Sequence, residues 1–189
     1  MPSGVGADLH HYLREAREGV LRAVQGLSEY DLRRPMTPTG TNLLGLVKHL
    51  AGVEYGYLGA AVGRPGPTLP WEEDGTVWEG ADLWARADET SSWVLGLYRE
   101  ARAHSDESIT TLPLDHPARV PWWPAARRHT TFGHLLVRVV AETAQHAGHA
   151  DIIREGIDGQ AGRDRDLVGD DAYWSEYVAT VQAAADAHR

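Results

Sequence analysis

Apolar residues recur with the period of an α-helix in four segments, and this pattern constrains the fold more than any other feature of the chain. The four segments span about residues 7–27, 41–62, 88–103 and 130–159. The connections between them, such as "GRPGPTLPWEEDG" and "LPLDHPARVPWWPAARRH", are too rich in proline and glycine for a helix or a central strand. We therefore predict an all-α fold, an antiparallel four-helix bundle with long crossover loops.

The ends of the predicted helices carry their own signals. Thr41 or Asn42 is expected to cap the second helix, Thr130 or Thr131 the fourth, and Gly159 suits a C-terminal cap. Residues 1–160 are predicted to form the bundle. Residues 161–189 are predicted to form a tail whose short helix, within "DAYWSEYVATVQAAADAH", packs on it. The best strand signal is "RVPWW", which would be an edge strand at most.

Composition narrows the classes of function. A chain of 189 residues with 42% hydrophobic residues can bury the core of one ordinary domain. Its net charge of −9 argues against a nucleic-acid partner. Because the chain has no cysteine, disulfides, thiolate metal sites and a cysteine nucleophile are excluded. The beginning of the chain lacks the features of a signal peptide, and no stretch approaches about 18 apolar residues, so we expect a cytoplasmic protein without a membrane segment.

Three polar residues of the fourth segment fall among its core-facing positions. At about 100° per residue, Glu142, His146 and His149 occupy a sector of roughly 60°, and the apolar stripe lies in or beside it. Burying a carboxylate and two imidazoles without partners would cost several kcal/mol. The pattern therefore predicts a compensating partner for this cluster.

A metal ion is the partner that this spacing favours. Side chains three and four residues apart on one helix can converge on one ion, and His49 of the second helix lies at the edge of another core stripe. Such donors suit a divalent ion such as Zn²⁺, Ni²⁺ or Fe²⁺, with positions left for water or substrate. In the alternative interpretation, Glu142 and His146 pair with each other and His149 lies at the rim of the bundle.

Five glycines follow one stripe of the second helix beside His49. They are Gly45, Gly52, Gly56, Gly59 and Gly63. Each costs about 1 kcal/mol relative to alanine inside a helix, so a reason is expected. The stripe indicates either the close approach of a neighbouring helix or room for a substrate.

Two stretches resemble a known family. "TNLLGLVKHLAGVE" followed by "HLLVRVVAETAQHAGHADIIREGIDG" resembles the DinB-like superfamily, and within it the mini-circle protein branch, over roughly residues 7–160. That resemblance implies a four-helix bundle with a metal site made by one histidine of the second helix and a His-x-x-x-His pair of the fourth. It places His49 at the first ligand, Glu142 at the middle one and His146 at the last, with glutamate replacing the commoner histidine. The related mycothiol-dependent maleylpyruvate isomerases have a similar Glu-x-x-x-His pair. His149 has no ligand counterpart, so we expect it to support a ligand from outside the set; the alternatives are a fourth ligand or a replacement for Glu142.

The resemblance also implies a chemistry, because members of the superfamily use a metal ion to activate mycothiol or bacillithiol. We expect a divalent-metal-dependent enzyme that activates a low-molecular-weight thiol for S-transfer or isomerisation, with mycothiol as co-substrate. Arg138, one turn before Glu142, would hold a carboxylate of the thiol or substrate, or lie over the end of the bundle as a surface residue. The alternatives are a metal-dependent hydrolase and a non-catalytic bundle that binds a metal or small molecule. The tryptophan-rich loops are compatible with a homodimer.

Overall fold

A computed structural model describes residues 4–160 and 168–189, and helices dominate this part of the chain. Its α-helices are α1 (Val5–Val24), α2 (Glu29–Arg33), α3 (Leu43–Tyr57), α4 (Pro70–Glu73), α5 (Ser91–Thr111), α6 (Phe132–Asp158) and α7 (Asp171–Asp186). The predicted all-α class is confirmed.

Four long helices form the bundle: α1 packs on α6, and α3 packs on both α5 and α6. Their buried faces make two apolar clusters. Leu44, Leu50 and Tyr98 belong to one cluster, and Leu13 and Phe132 belong to the other. The antiparallel order of the four helices stays a prediction.

The predicted caps are confirmed. The Asn42 side chain accepts a hydrogen bond from the amide of Gly45 at 2.8 Å, and the Thr131 hydroxyl accepts one from the amide of His134 at 3.3 Å. Gly159 ends α6 with a φ of 76°, the left-handed conformation that favours glycine.

The predicted bounds of two helices are wrong. α3 ends at Tyr57 rather than near residue 62, because the backbone at Gly59 leaves the helical region and a 3₁₀ turn, Ala60–Val62, follows. α5 continues past residue 103 to Thr111. Its last turns look polar in sequence, yet Ser105 and Ser108 are buried there.

The connections are more ordered than the sequence predicts. Between α3 and α5 lie α4 and, besides the turn at Ala60–Val62, two further 3₁₀ turns, Thr76–Glu79 and Ala81–Leu83. Between α5 and α6, β1 (Pro117–Arg119) pairs antiparallel with β2 (His129–Thr131).

The strand predicted at "RVPWW" is therefore wrong for most of its length. Only Arg119 of that stretch belongs to a strand, and the chain leaves the sheet at Val120, which precedes Pro121. Proline has no amide hydrogen to donate to a neighbouring strand, which fits the short length of β1.

A buried ion network joins three helices. Arg17 of α1 donates two hydrogen bonds to the carboxylate of Glu54 on α3, at 2.7 and 2.6 Å, and one to Asp106 on α5 at 2.6 Å. The side chains of Arg17 and Glu54 are both fully buried. Because a bidentate pair satisfies both charges, the network fixes the positions of α1 and α3 relative to each other.

The only lysine of the chain is also fully buried. Lys48 of α3 donates hydrogen bonds to the carbonyls of Ala81 and Trp84, at 2.8 and 3.0 Å, and to the Glu89 carboxylate at 2.7 Å. Its ammonium nitrogen also lies 4.5 Å from the centre of a Trp71 ring. Lys48 thereby holds residues 81–89, which we call the anchored segment, against α3.

The tail contains the predicted short helix, α7, in which no residue is buried. Its packing on the bundle stays a prediction, and residues 161–167 of the predicted tail lie outside the described residues. No helix among the described residues has the length and apolar character needed to span a membrane.

The buried network generates a prediction about stability. Replacing Arg17→Met should lower the free energy of unfolding by about 3–5 kcal/mol, because the Glu54 carboxylate is left buried and unpaired. Urea denaturation followed by circular dichroism measures the change. As the matched control, Arg64→Gln breaks the exposed Arg64–Glu107 pair and should cost less than about 1 kcal/mol. Equal losses in the two variants would contradict the importance given to the buried network.

Candidate metal centre

Three of the predicted site residues converge between α3 and α6. His49 of α3 and Glu142 and His146 of α6 each offer one ligand atom, and these atoms all lie within 4.8 Å of one another. Within the described part of the chain, no other group of three His, Asp or Glu side chains is brought together in this way. All three are half-buried. The i, i+4 spacing on α6 and the packing of α3 against it therefore assemble a carboxylate and two imidazoles.

Asp82, which the sequence analysis missed, contacts the outer face of His49. Its Oδ2 atom lies 2.6 Å from Nδ1 of His49, and Nε2 of the same ring lies 3.3 Å from Oε1 of Glu142. A carboxylate at Nδ1 accepts a hydrogen bond from the N–H of that nitrogen and leaves Nε2 to face the cluster. Asp82 lies in the anchored segment, so its position depends on the contacts of Lys48.

The cluster shifts the pKa values of its own members. Burial alone would lower the pKa of His49, but hydrogen bonds to Asp82 and Glu142 outweigh it and raise the pKa to about 9. The hydrogen bond from His49 lowers the pKa of Glu142, with a further contribution from Arg138. Burial and the neighbouring His49 charge lower the pKa of His146. His49 and Glu142 therefore each favour the charged form of the other, whereas the neutral form of His146 is favoured.

Arg138 borders the cluster on α6. Its guanidinium lies 3.1 Å from Oε2 of Glu142, and its central carbon lies 4.9 Å from the centre of the Tyr57 ring and 5.7 Å from that of Trp123. Two aromatic rings and one carboxylate thus restrict a side chain that is 42% exposed. Because Glu142 is the only ion-pair partner of this guanidinium among the described residues and meets one end of it, other donors are available for a ligand.

His149 lies outside the converging group. Its Nδ1 atom is 3.4 Å from Nδ1 of His146, and its side chain is exposed. The prediction that His149 faces the core is therefore wrong, because the buried face of α6 turns toward Thr143, Ala147 and Ala150. A role for His149 in supporting His146 stays a prediction.

A cleft opens beside the cluster. It has a volume of about 470 Å³ and is lined along α6 by residues that include Arg138, Glu142, Gln145 and His146. The cluster is thus reachable by a small molecule from solvent, as a catalytic or binding centre requires.

Two glycines of the predicted stripe, Gly45 and Gly59, have the close-approach role that the sequence offered as one alternative. Gly59 lies just past the end of α3, and a Cβ atom added there would lie 2.9 Å from the carbonyl oxygen of Arg64. A Cβ atom at Gly45 would lie 1.9 Å from the carbonyl oxygen of Leu83, in the turn that carries Asp82. The neighbour is a 3₁₀ turn rather than the helix that was expected. At Gly52 and Gly56, an added Cβ atom would meet only ordinary contacts, at 3.7 Å from Trp71 and 3.5 Å from Trp122. Gly45 is therefore the position at which the anchored segment needs the space.

A family model described as mycothiol-S-transferase matches residues 8–159. No curated protein matches the chain at a significant level. The matched range includes the whole cluster, Asp82 and the anchored segment.

The close approach at Gly45 generates a second prediction. Gly45→Ala should destabilise the protein by about 1–3 kcal/mol, because the methyl group displaces the Leu83 carbonyl and the turn behind it. Thermal denaturation monitors the effect. Gly148→Ala is the matched control in a helix of the same bundle, since its Cβ atom would meet nothing within 4 Å, and it should be neutral or stabilise the helix by up to about 1 kcal/mol. A Gly45→Ala protein as stable as the wild type would rule out the tight contact.

Proposed function

The chain belongs to the mycothiol S-transferase family, and we propose that it is a divalent-metal-dependent enzyme that activates a low-molecular-weight thiol, with mycothiol as the co-substrate. The convergence of His49, Glu142 and His146 beside an open cleft is the observation that supports the proposal best. S-transfer is the proposed reaction, and thiol-assisted isomerisation is the second form of the same chemistry.

The donor set fits a divalent ion. Two imidazole nitrogens and one carboxylate oxygen are typical of zinc centres that keep a position open, and they also suit Ni²⁺ or Fe²⁺. His49, Glu142 and His146 are the proposed ligands. A divalent ion bound there would stabilise the deprotonated form of a thiol that reaches it and so supply a strong nucleophile at neutral pH.

The chain provides no sulfur nucleophile itself, since it contains no cysteine. The nucleophile must therefore arrive with a substrate. In S-transfer, the sulfur loses its proton and forms a bond to an electrophilic carbon, and the leaving group departs with the electron pair of the bond that breaks. In isomerisation, the sulfur adds to an unsaturated carbon and leaves again after rotation, so the thiol is regenerated.

The residues around the proposed ligands have positioning roles. Asp82 fixes the ring of His49 by accepting a hydrogen bond from Nδ1–H, and His149 supports His146 from the solvent side. Arg138 is the proposed binding residue for a carboxylate of the thiol or substrate. Its guanidinium lies against two rings, and among the described residues only Glu142 pairs with it, so other donors can face the cleft.

The proposed ligands can be tested by metal content. Purified protein should carry about one divalent ion per chain. His49→Ala or His146→Ala should each remove most of it, because two remaining ligands bind too weakly to survive purification. Mass spectrometry of the acid-released metal gives the ratio. Metal that stays stoichiometric in the double variant would contradict the assignment.

The same measurement, made as a titration, separates ligands from supporting residues. Asp82→Asn and His149→Ala should each weaken metal binding by only about 10–100-fold. Glu79→Gln is the control for Asp82→Asn. It removes the same charge from an exposed residue three positions earlier, which does not contact His49. A loss from His149→Ala as complete as that from His146→Ala, with none from Glu142→Gln, would make the two histidines of α6 the ligands instead.

Thiol binding tests the reaction class. The cobalt-substituted protein should show a sulfur-to-metal charge-transfer band when mycothiol is added. The apparent affinity should rise with pH up to the free pKa of the thiol, about 8.5, because the proton must leave before sulfur binds. Arg138→Ala should raise the dissociation constant for an acidic thiol but leave the metal in place.

If no thiol perturbs the cobalt spectrum at millimolar concentration, the proposed activation of a thiol by the metal is contradicted. Hydrolysis of an added ester by the metal-loaded protein would then favour the hydrolase. Retained metal without any turnover would favour a non-catalytic binding bundle.

A further inference from the structure

A second cleft continues from the first, away from the cluster. It has a volume of about 430 Å³ and lies between the end of the β1–β2 connection and the start of α6. Arg138 and His134 line both clefts. A substrate that reaches the candidate metal centre can therefore extend into this second cleft without leaving the surface groove.

The second cleft is cationic in an acidic protein. The chain carries a net charge of −9, yet the residues that line this cleft include Arg127, Arg138, His129 and His134 and no carboxylate. Among the ion pairs and hydrogen bonds of the described residues, none occupies the side chain of Arg127 or His129. The cleft thus offers cationic and hydrogen-bonding groups that the fold itself does not use.

The wall of the second cleft is held in place. Trp123 donates through Nε1 to the Tyr57 hydroxyl at 3.3 Å, and its carbonyl accepts a hydrogen bond from Nε of Arg128 at 2.8 Å. Its rings also contact His134, with 6.0 Å between ring centres. Arg127, which ends the 3₁₀ turn Ala125–Arg127, is therefore presented from a fixed connection.

The distance along α6 between His134 and Glu142 indicates how long a substrate must be to occupy both clefts. Eight residues separate His134 from Glu142, which corresponds to about 12 Å along the helix axis at about 1.5 Å per residue. A group bound beside His134 in the second cleft is thus remote from the reacting atoms, whereas Arg138 lies between the two positions on α6. Such a group can contribute binding energy without taking part in the chemistry.

We propose that the second cleft is an anion subsite that binds a carboxylate or phosphate group carried roughly 12 Å from the reacting atoms of the substrate, with Arg127 and His129 as its specific contacts. The inference rests on the proposed function for the identity of the reacting atoms. The anionic group belongs to the electrophilic acceptor, because mycothiol itself has neither a carboxylate nor a phosphate.

Calorimetric titration of the purified full chain with inorganic phosphate, at constant ionic strength, tests the subsite. We expect binding in the millimolar range, and Arg127→Gln should weaken it by about tenfold through loss of a charge-assisted contact. Arg127→Lys, which keeps the charge, should weaken it less. Arg99→Gln removes the same charge from an exposed position on α5, outside the lining of the second cleft, and should leave the affinity unchanged. Phosphate binding that is equal in Arg127→Gln and the wild type, or that Arg99→Gln weakens as much as Arg127→Gln does, would overturn the inference.

The titration is repeated with saturating mycothiol. Because this thiol has neither a carboxylate nor a phosphate, phosphate should bind unchanged, and displacement of phosphate would overturn the assignment of the anion to the acceptor. His146→Ala, which disables the proposed metal centre, should still bind phosphate. The two proposals therefore fail separately: a missing cobalt–thiol band overturns the proposed function, whereas insensitivity to Arg127 overturns the subsite alone.

Discussion

A buried ammonium group holds the irregular part of this protein against its helices. A fully desolvated cation is tolerated only when its donors have acceptors, and Lys48 finds all three of its acceptors in the anchored segment. Whenever Lys48 is buried, residues 81–89 must be in place. Asp82 lies inside that segment and contacts His49, so the orientation of the candidate ligand depends on an interaction that does not touch it.

One turn of α3 supplies each part of this arrangement. Gly45 leaves the space for the Leu83 carbonyl, Lys48 binds the segment, and His49 reaches across to α6. Successive residues on a helix point about 100° apart, so one rigid element can serve the support and the centre at once. Helices hold such geometry more accurately than loops do. The Arg17–Glu54 pair, further along α3, fixes the same helix to α1.

Local patterns in the sequence were enough for the helices and for most of the cluster. Period and capping residues predicted α1, α3, α5 and α6, and the offset between Glu142 and His146 placed both on one face. Asp82 could not be predicted, because its position follows from contacts between residues some 33 apart in an irregular connection. The misplacement of His149 has a different cause: a 60° sector is wide enough to cross from the buried edge of a helix to its exposed side.

The burial of Lys48 also makes the chemical reactivity of the protein unusual. No other lysine exists in the chain, so the folded molecule presents no lysine amine to acylating reagents or to enzymes that modify this residue type. A reagent can modify the Lys48 amine only after the anchored segment has separated from α3. The rate of modification would then report the free energy of that local opening, separately from unfolding of the bundle. Lys48, which holds the anchored segment beside the candidate metal centre, thus reports how often that segment opens.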